Sequence, residues 1–193
     1  MFRRPNNPSL ALREPRWTVL ERGRLPGASA DTHAWLSDSG SLTRSVVARC
    51  RSKFGVEVVR QVHESAWPSE IGLLGGGPAQ ATLVREVRLR CGRDAWVFAR
   101  TLLPMASLRG PLRALTHLGR RPLGEVLFSD PTTRRLRVEI ARITPRHRLF
   151  QRATDHMKRS PGQIWGRRTL FSYGGERILV NELFLPGIPA MRQ

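Results

Sequence analysis

Apolar and polar residues alternate strictly in two neighbouring stretches of the chain. From Leu83 to Cys91 one face carries Leu83, Arg85, Val87, Leu89 and Cys91, and the other Val84, Glu86, Arg88 and Arg90. A period of two is the mark of a strand packed on one side. Gly92-Arg93-Asp94 then turns the chain into Ala95 to Leu103, which predicts a hairpin stopped by Pro104. Arg135 to Ile143 alternates again, with Leu136, Val138 and Ile140 on its inner face, and β-branched residues dominate Val56 to Val62. Arg168 to Tyr173 and Arg177 to Leu185 read as strands joined through Gly174-Gly175, a second hairpin. Elsewhere the period lengthens. Leu42, Val46, Val47, Cys50 and Phe54 fall on one side of a 3.6-residue repeat, predicting a helix from Leu42 to Phe54 with Ser41 as its N-cap. Gly72 to Gln80 predicts a loop, and Leu108 to Leu127 short helical pieces broken by Gly110-Pro111, Gly119 and Pro122-Leu123-Gly124. Pro145 to Lys158 places Leu149, Phe150, Ala153 and Met157 at helical spacing, a basic surface helix.

Strands that occur in hairpins, or with connections too short for parallel crossovers, imply an antiparallel sheet. The expected class is α+β: a single domain with a six-stranded antiparallel sheet and helices covering a buried ligand site. No internal repeat or low-complexity block divides the chain. Residues 1–30 read as a basic, proline-containing N-terminal segment, 31–188 as the domain with a helical segment at 144–164, and 189–193 as a tail.

Two charges violate the apolar pattern. Arg85 lies in register with Leu83, Val87 and Leu89, and Glu182 sits between Val180 and Phe184 on its own strand face. A buried charge without a partner is costly by several kcal/mol, so each requires an opposite charge or a ligand. The pair could satisfy each other as a structural ion pair, or they could line a closed polar pocket in which Arg85 clamps a carboxylate. Arg100, on the face of Trp96 and Phe98, requires a carboxylate as well if it points inward.

Charge widens the range of partners before it narrows it. The 193 residues hold 33 Lys+Arg against 15 Asp+Glu, a net charge of +18, and only Lys53 and Lys158 are lysine. Nucleic acid, anionic membrane and anionic small molecules all follow from such a balance. The arginines are spread over every predicted element and the aromatic residues read as core, which argues against a nucleic-acid surface. No stretch approaches the roughly 18 apolar residues of a membrane span, and Met1 to Arg24 lacks an apolar signal core, so the expected setting is cytoplasmic. Cys50 and Cys91 belong to no metal-spaced cluster and read as reduced thiols. Trp67 stands where a His63-Glu64 zinc motif needs its second histidine, and Gly75-Gly76-Gly77 lacks the lysine of a phosphate loop. Neither a metal nor a cofactor is expected.

Six blocks, in order over nearly the whole chain, resemble the chorismate pyruvate-lyase family: Trp35-Leu36 with Ser41-Leu42-Thr43-Arg44; Val84-Arg85-Glu86-Val87; Arg100-Thr101-Leu102-Leu103-Pro104; Pro122-Leu123-Gly124 with Leu127-Phe128; Trp165-Gly166-Arg167-Arg168; and Asn181-Glu182-Leu183-Phe184-Leu185-Pro186. The resemblance implies cofactor-free conversion of chorismate to 4-hydroxybenzoate and pyruvate, the first committed step of ubiquinone biosynthesis. It implies that Arg85 binds the ring carboxylate and Glu182 contacts the 4-hydroxyl, as base or as orienting group, while Leu42 and Leu123 close the site. Leu42 follows the expected N-cap Ser41 and Leu123 follows Pro122, a favoured first helical residue, so both would put free backbone N–H groups at helix starts, where carboxylates bind well. The segment Thr144 to Ile164 is longer than in a better-known form of the enzyme; it could cover the sheet, bind a partner or touch a membrane. The expected protein is a monomer. The same fold serves effector-sensing domains of transcription regulators, so a ligand sensor without catalysis is the alternative, although no helix-turn-helix segment is read ahead of the domain.

Overall fold

The computed structural model describes residues 12–20, 27–77 and 81–191. Its elements follow one another as β1 (Thr18–Val19), α1 (Ala30–Ser37), α2 (Leu42–Arg49), β2 (Phe54–Ser65), α3 (Pro68–Leu74), β3 (Ala81–Cys91) and β4 (Asp94–Pro104). Two 3-10 turns, Met105–Arg109 and Pro111–His117, lead into α4 (Leu123–Ser129), β5 (Arg134–Ile143), α5 (Arg148–Thr154), β6 (Ile164–Tyr173) and β7 (Glu176–Phe184). All described strands form one antiparallel sheet in the order β1-β5-β6-β7-β4-β3-β2. The class is α+β, with a seven-stranded sheet where the sequence predicts six. The additional strand, β1, pairs only Thr18 with Ile140 and Val19 with Glu139, too short for any alternation to reveal.

Both hairpins form where the pattern places them. Cys91 pairs with Asp94 across the β3–β4 turn, and β6 turns into β7 at Gly174 and Gly175, whose φ angles are 57° and 84°. Two successive residues in the left-handed region suit the twist of a tight hairpin, and glycine adopts them without strain. In the middle of the sheet Arg85 pairs with Thr101, Glu86 with Arg100, Ala99 with Glu182 and Arg167 with Glu182. These registers set which side chains share a face.

The two faces bury different material. On one, α1, α2, α4 and the 3-10 turns pack Trp35, Leu36, Val46, Leu112, Leu115 and Leu127 against the sheet. On the other, α5 buries Leu149, Phe150 and Ala153 against Phe98, Ile143, Ile164 and Leu183, and α3 contributes Leu74. The 145–158 segment is therefore a cover of the sheet, shorter than its period suggests, rather than a surface helix. Among the described residues no helix is long and apolar enough to cross a membrane.

Four further expectations change. The helix begins at Leu42, with the Ser41 hydroxyl accepting from Arg44 N at 3.5 Å, but ends at Arg49. Phe54 already belongs to β2, and its apolar character, owed to the strand, mimics one more helical turn. Cys50 and Cys91 are joined by a disulfide, not reduced, with Cα atoms 5.5 Å apart; the pairing of Phe54 with Cys91 brings the chain before β2 over the end of β3, which no local motif announces. Leu136 is 51% exposed instead of facing inward, because the β5–β6 register shifts between Arg135 and Arg137 and the bulge turns it outward. Gly72 lies in α3, and the loop starts at its left-handed cap Gly75; Pro78 to Gln80 lie outside the described residues, as do Arg3, Arg4, Arg22 and Arg24 of the basic segment.

Candidate functional site

Alternation along β3, β4 and β7 delivers Arg85, Val87 and Leu89, then Ala99 and Thr101, then Val180 and Glu182 to one enclosed cavity of about 50 Å³. Phe171 of β6 closes its floor. Leu42 and Thr43 at the start of α2, and Pro122, Leu123, Gly124, Leu127 and Phe128 of and before α4, form its roof. All four residues singled out from the sequence, Arg85, Glu182, Leu42 and Leu123, line this cavity. Leu42 and Leu123 are the first residues of their helices, and Pro122 is the cap of α4 rather than its first helical residue. The two roof helices touch closely: a Cβ on Gly124 would lie 3.1 Å from both Ser41 Oγ and Thr43 Oγ1.

Arg85 and Glu182 do not pair with each other. Arg85 is 3% exposed, and its Nη2 donates to the carbonyls of Gly119 at 2.8 Å and Arg121 at 3.3 Å, while its buried Nε has no partner. No carboxylate among the described residues lies within ion-pair distance, and burial pushes the guanidinium pKa down. A cation held by neutral carbonyls with a donor left over has the chemistry to receive an anion.

Glu182 has its own arginine. Arg167, its cross-strand neighbour, donates Nε to the carboxylate oxygen Oε2 at 2.8 Å and brings Nη2 within ion-pair distance of the same oxygen, also at 2.8 Å. The remaining nitrogen of Arg167 reaches Asp38 O at 2.5 Å and Trp35 O at 3.4 Å, at the end of α1. Oε1 of Glu182 is left to the cavity. Arg167 is thus a site residue that the strand pattern missed: of the adjacent pair Arg167-Arg168, alternation alone could not say which one points toward Glu182.

The opposite sheet face absorbs the other buried charges. Arg100, fully buried, donates Nε and Nη2 to Glu70 at 3.0 and 3.2 Å and Nη1 to Glu64 and Glu86 at 2.9 Å each, with the Trp67 ring 4.1 Å away. Burial alone would lower its pKa, and the surrounding carboxylates, Glu70 first, raise it instead. Arg168 pairs with Glu139 at 2.5 Å on the same side. Each of these guanidiniums has a carboxylate partner; among the described residues Arg85 has none.

Comparison with known proteins bears on the family and the fold. The family model for "Chorismate lyase" matches residues 17–191. The chain is 39% identical over 160 residues to a probable chorismate pyruvate-lyase of Nitrosospira multiformis, covering 83% of this chain and 89% of that one. It is 42% identical over 155 residues to one of Methylococcus capsulatus, covering 80% and 94%. Among solved structures, the effector domain of PhnF from Mycobacterium smegmatis aligns with a TM-score of 0.54 at 17% identity, over 76% of this chain and 89% of that one. A ligand-binding domain of a putative GntR-family regulator from Bordetella bronchiseptica aligns at 0.51 and 15%, over 94% and 96%. At such identities the structural matches speak for the fold alone, whereas the family model and the sequence relatives together establish that this chain belongs to the chorismate lyase family.

Proposed function

We propose that the cavity beneath α2 and α4 is where this chain, a chorismate pyruvate-lyase by family, converts chorismate to 4-hydroxybenzoate and pyruvate. The observation that carries the assignment is the opposed placement of a carboxylate-free Arg85 and a half-engaged Glu182 in one apolar enclosure. Arg85 takes the ring carboxylate through its vacant donors, and Oε1 of Glu182 accepts from the 4-hydroxyl. The apolar walls hold the ring flat between these two ends, and Leu42 and Leu123 exclude water from above.

Loss of the C3–O bond together with the C4 hydrogen makes the ring aromatic, and that hydrogen ends on the enolpyruvyl methylene, which becomes the methyl of pyruvate. The atoms of the two products sum to those of chorismate, so the balance calls for no cosubstrate. The contribution left to the protein is positioning and charge placement. Glu182, held by Arg167, orients the C4 substituents.

A cavity of about 50 Å³ is the share of one or two water molecules, far below the roughly 300–1,000 Å³ of ordinary ligand pockets. The roof helices therefore part to admit the substrate and to release the product, and release sets the pace of turnover. Incubating the purified chain with chorismate tests the assignment: equimolar 4-hydroxybenzoate and pyruvate are expected, with the rate unchanged after chelator treatment. Binding of 4-hydroxybenzoate without turnover would make the chain a ligand sensor.

A further inference from the structure

Chorismate is a dianion, and Arg85 accounts for one of its two carboxylates. We propose that Arg135, on β5, receives the second, the carboxylate of the enolpyruvyl arm, and that it thereby distinguishes substrate from product; the inference rests on the functional reading above. The buried arginines of the opposite face all have carboxylate partners, and so does Arg167. Arg135 has none. Its two terminal nitrogens donate to backbone carbonyls, Ser39 O at 2.6 Å and Gly40 O at 2.8 Å, and its Nε is shut off from solvent with no acceptor. This is the arrangement of Arg85 repeated: neutral carbonyls fix the guanidinium, and one donor is left over; Arg49 shares it, held by Ser45 O and Met191 O, but stands against Trp35, which does not line the cavity.

Location links it to the same ligand. The Arg135 guanidinium carbon lies 5.3 Å from the ring centre of Phe128 and 5.6 Å from that of Phe171, both of which line the cavity. The Ser39 and Gly40 carbonyls it holds directly precede the Ser41 cap of α2. It therefore stands at the seam between α2 and α4, on the side of the sheet where Glu182 meets the 4-hydroxyl. Burial and the neighbouring Arg167 lower its pKa while Glu182 and Asp38 raise it, which places it within electrostatic reach of Glu182. A carboxylate attached next to the carbon that Glu182 addresses would be repelled by Glu182 unless a cation stood beside it. Arg167 has its donors committed to Glu182 and to the end of α1, so Arg135 is the residue equipped to supply that cation.

The product lacks the enolpyruvyl arm, and that difference makes the proposal testable. Arg135→Gln and Arg135→Lys are prepared, and each is measured for chorismate KM, for kcat and for the Kd of 4-hydroxybenzoate. Loss of a charge-assisted hydrogen bond of ordinary strength corresponds to a KM increase of about tenfold or more for Arg135→Gln, with the product Kd within about twofold of the parent. Arg135→Lys, which keeps the charge, is expected to restore part of the KM. A parallel weakening of substrate and product would show that Arg135 only braces the roof, and an unchanged KM would show that the second carboxylate lies elsewhere; either result overturns the proposal. The unaltered chain serves as the reference: if it turned over no chorismate, the functional reading itself would fail, independently of Arg135.

Discussion

Glu182 and Arg167 act as a unit at the scale of single residues. One hydrogen bond and one ion-pair contact meet at a single oxygen and leave the other oxygen unengaged by Arg167, so replacing Arg167 changes what Glu182 presents to the cavity. Arg167→Met and Glu182→Gln are each expected to lower kcat/KM by about tenfold or more, and the double variant by little more than the worse single one. Full additivity of the two losses in a double-mutant cycle would show that Arg167 serves only the end of α1. The sequence made Arg85 and Glu182 legible because each interrupts an apolar strand face, while Leu42 and Leu123 were named only through the family resemblance; all four line one cavity. It could not reveal Arg167 or Arg135. Both lie in arginine-rich stretches, Arg134-Arg135 and Arg167-Arg168, where only register decides which guanidinium shares the sheet face of the cavity, and at Arg135 that register is shifted by a bulge.

At the scale of elements, α2 is fastened at both ends. Its first turn packs against Gly124 of α4, and its cap residue Cys50 is bonded to Cys91 at the end of β3, closing a loop of sequence separation 41. A loop of that length corresponds to about 4 kcal/mol of lost freedom in the unfolded chain in the chain-entropy model. Cys50→Ser is expected to lower stability by about 2–4 kcal/mol in urea unfolding under non-reducing conditions. If the midpoint did not move, the two sulfurs would not be joined in solution. Periodicity predicted the start of α2 through Ser41 but overran its end, because the residue that resumes the pattern, Phe54, is apolar for the sake of β2. The disulfide escaped for a related reason: contacts made by strand register across forty residues leave no trace in local spacing.

Over the whole molecule, the +18 charge resolves into a diffuse arginine surface, a compact ion cluster on one sheet face and, on the other, guanidiniums such as Arg85 and Arg135 that have no carboxylate partner among the described residues. The cluster sets the response to acid. Arg90, with help from Arg88, holds the Glu57 carboxyl below its ordinary value of 4.5. Burial would raise Glu64, but Arg100 and Arg60 bring it below the same value. A carboxylate depressed in the folded state stabilises above its unfolded pKa, and that stabilisation is lost as pH falls through the folded value. The urea midpoint is therefore expected to stay level from neutral pH down to about pH 5 and to fall below 4.5. A midpoint that rose on acidification would contradict these pairings.

The alternation of β3 and β4 has one more consequence, for the route by which the chain finds its fold. Arg85 and Thr101 face the cavity while their immediate neighbours Glu86 and Arg100 face the ion cluster. Sliding either strand by one residue would exchange the two sets. Glu86 would enter an apolar enclosure without its cation, and Arg85 would displace a partner from a cluster already satisfied. Misaligned pairings are thus penalised on both faces at once, so the charges that serve the ligand and the scaffold also proofread the sheet as it assembles.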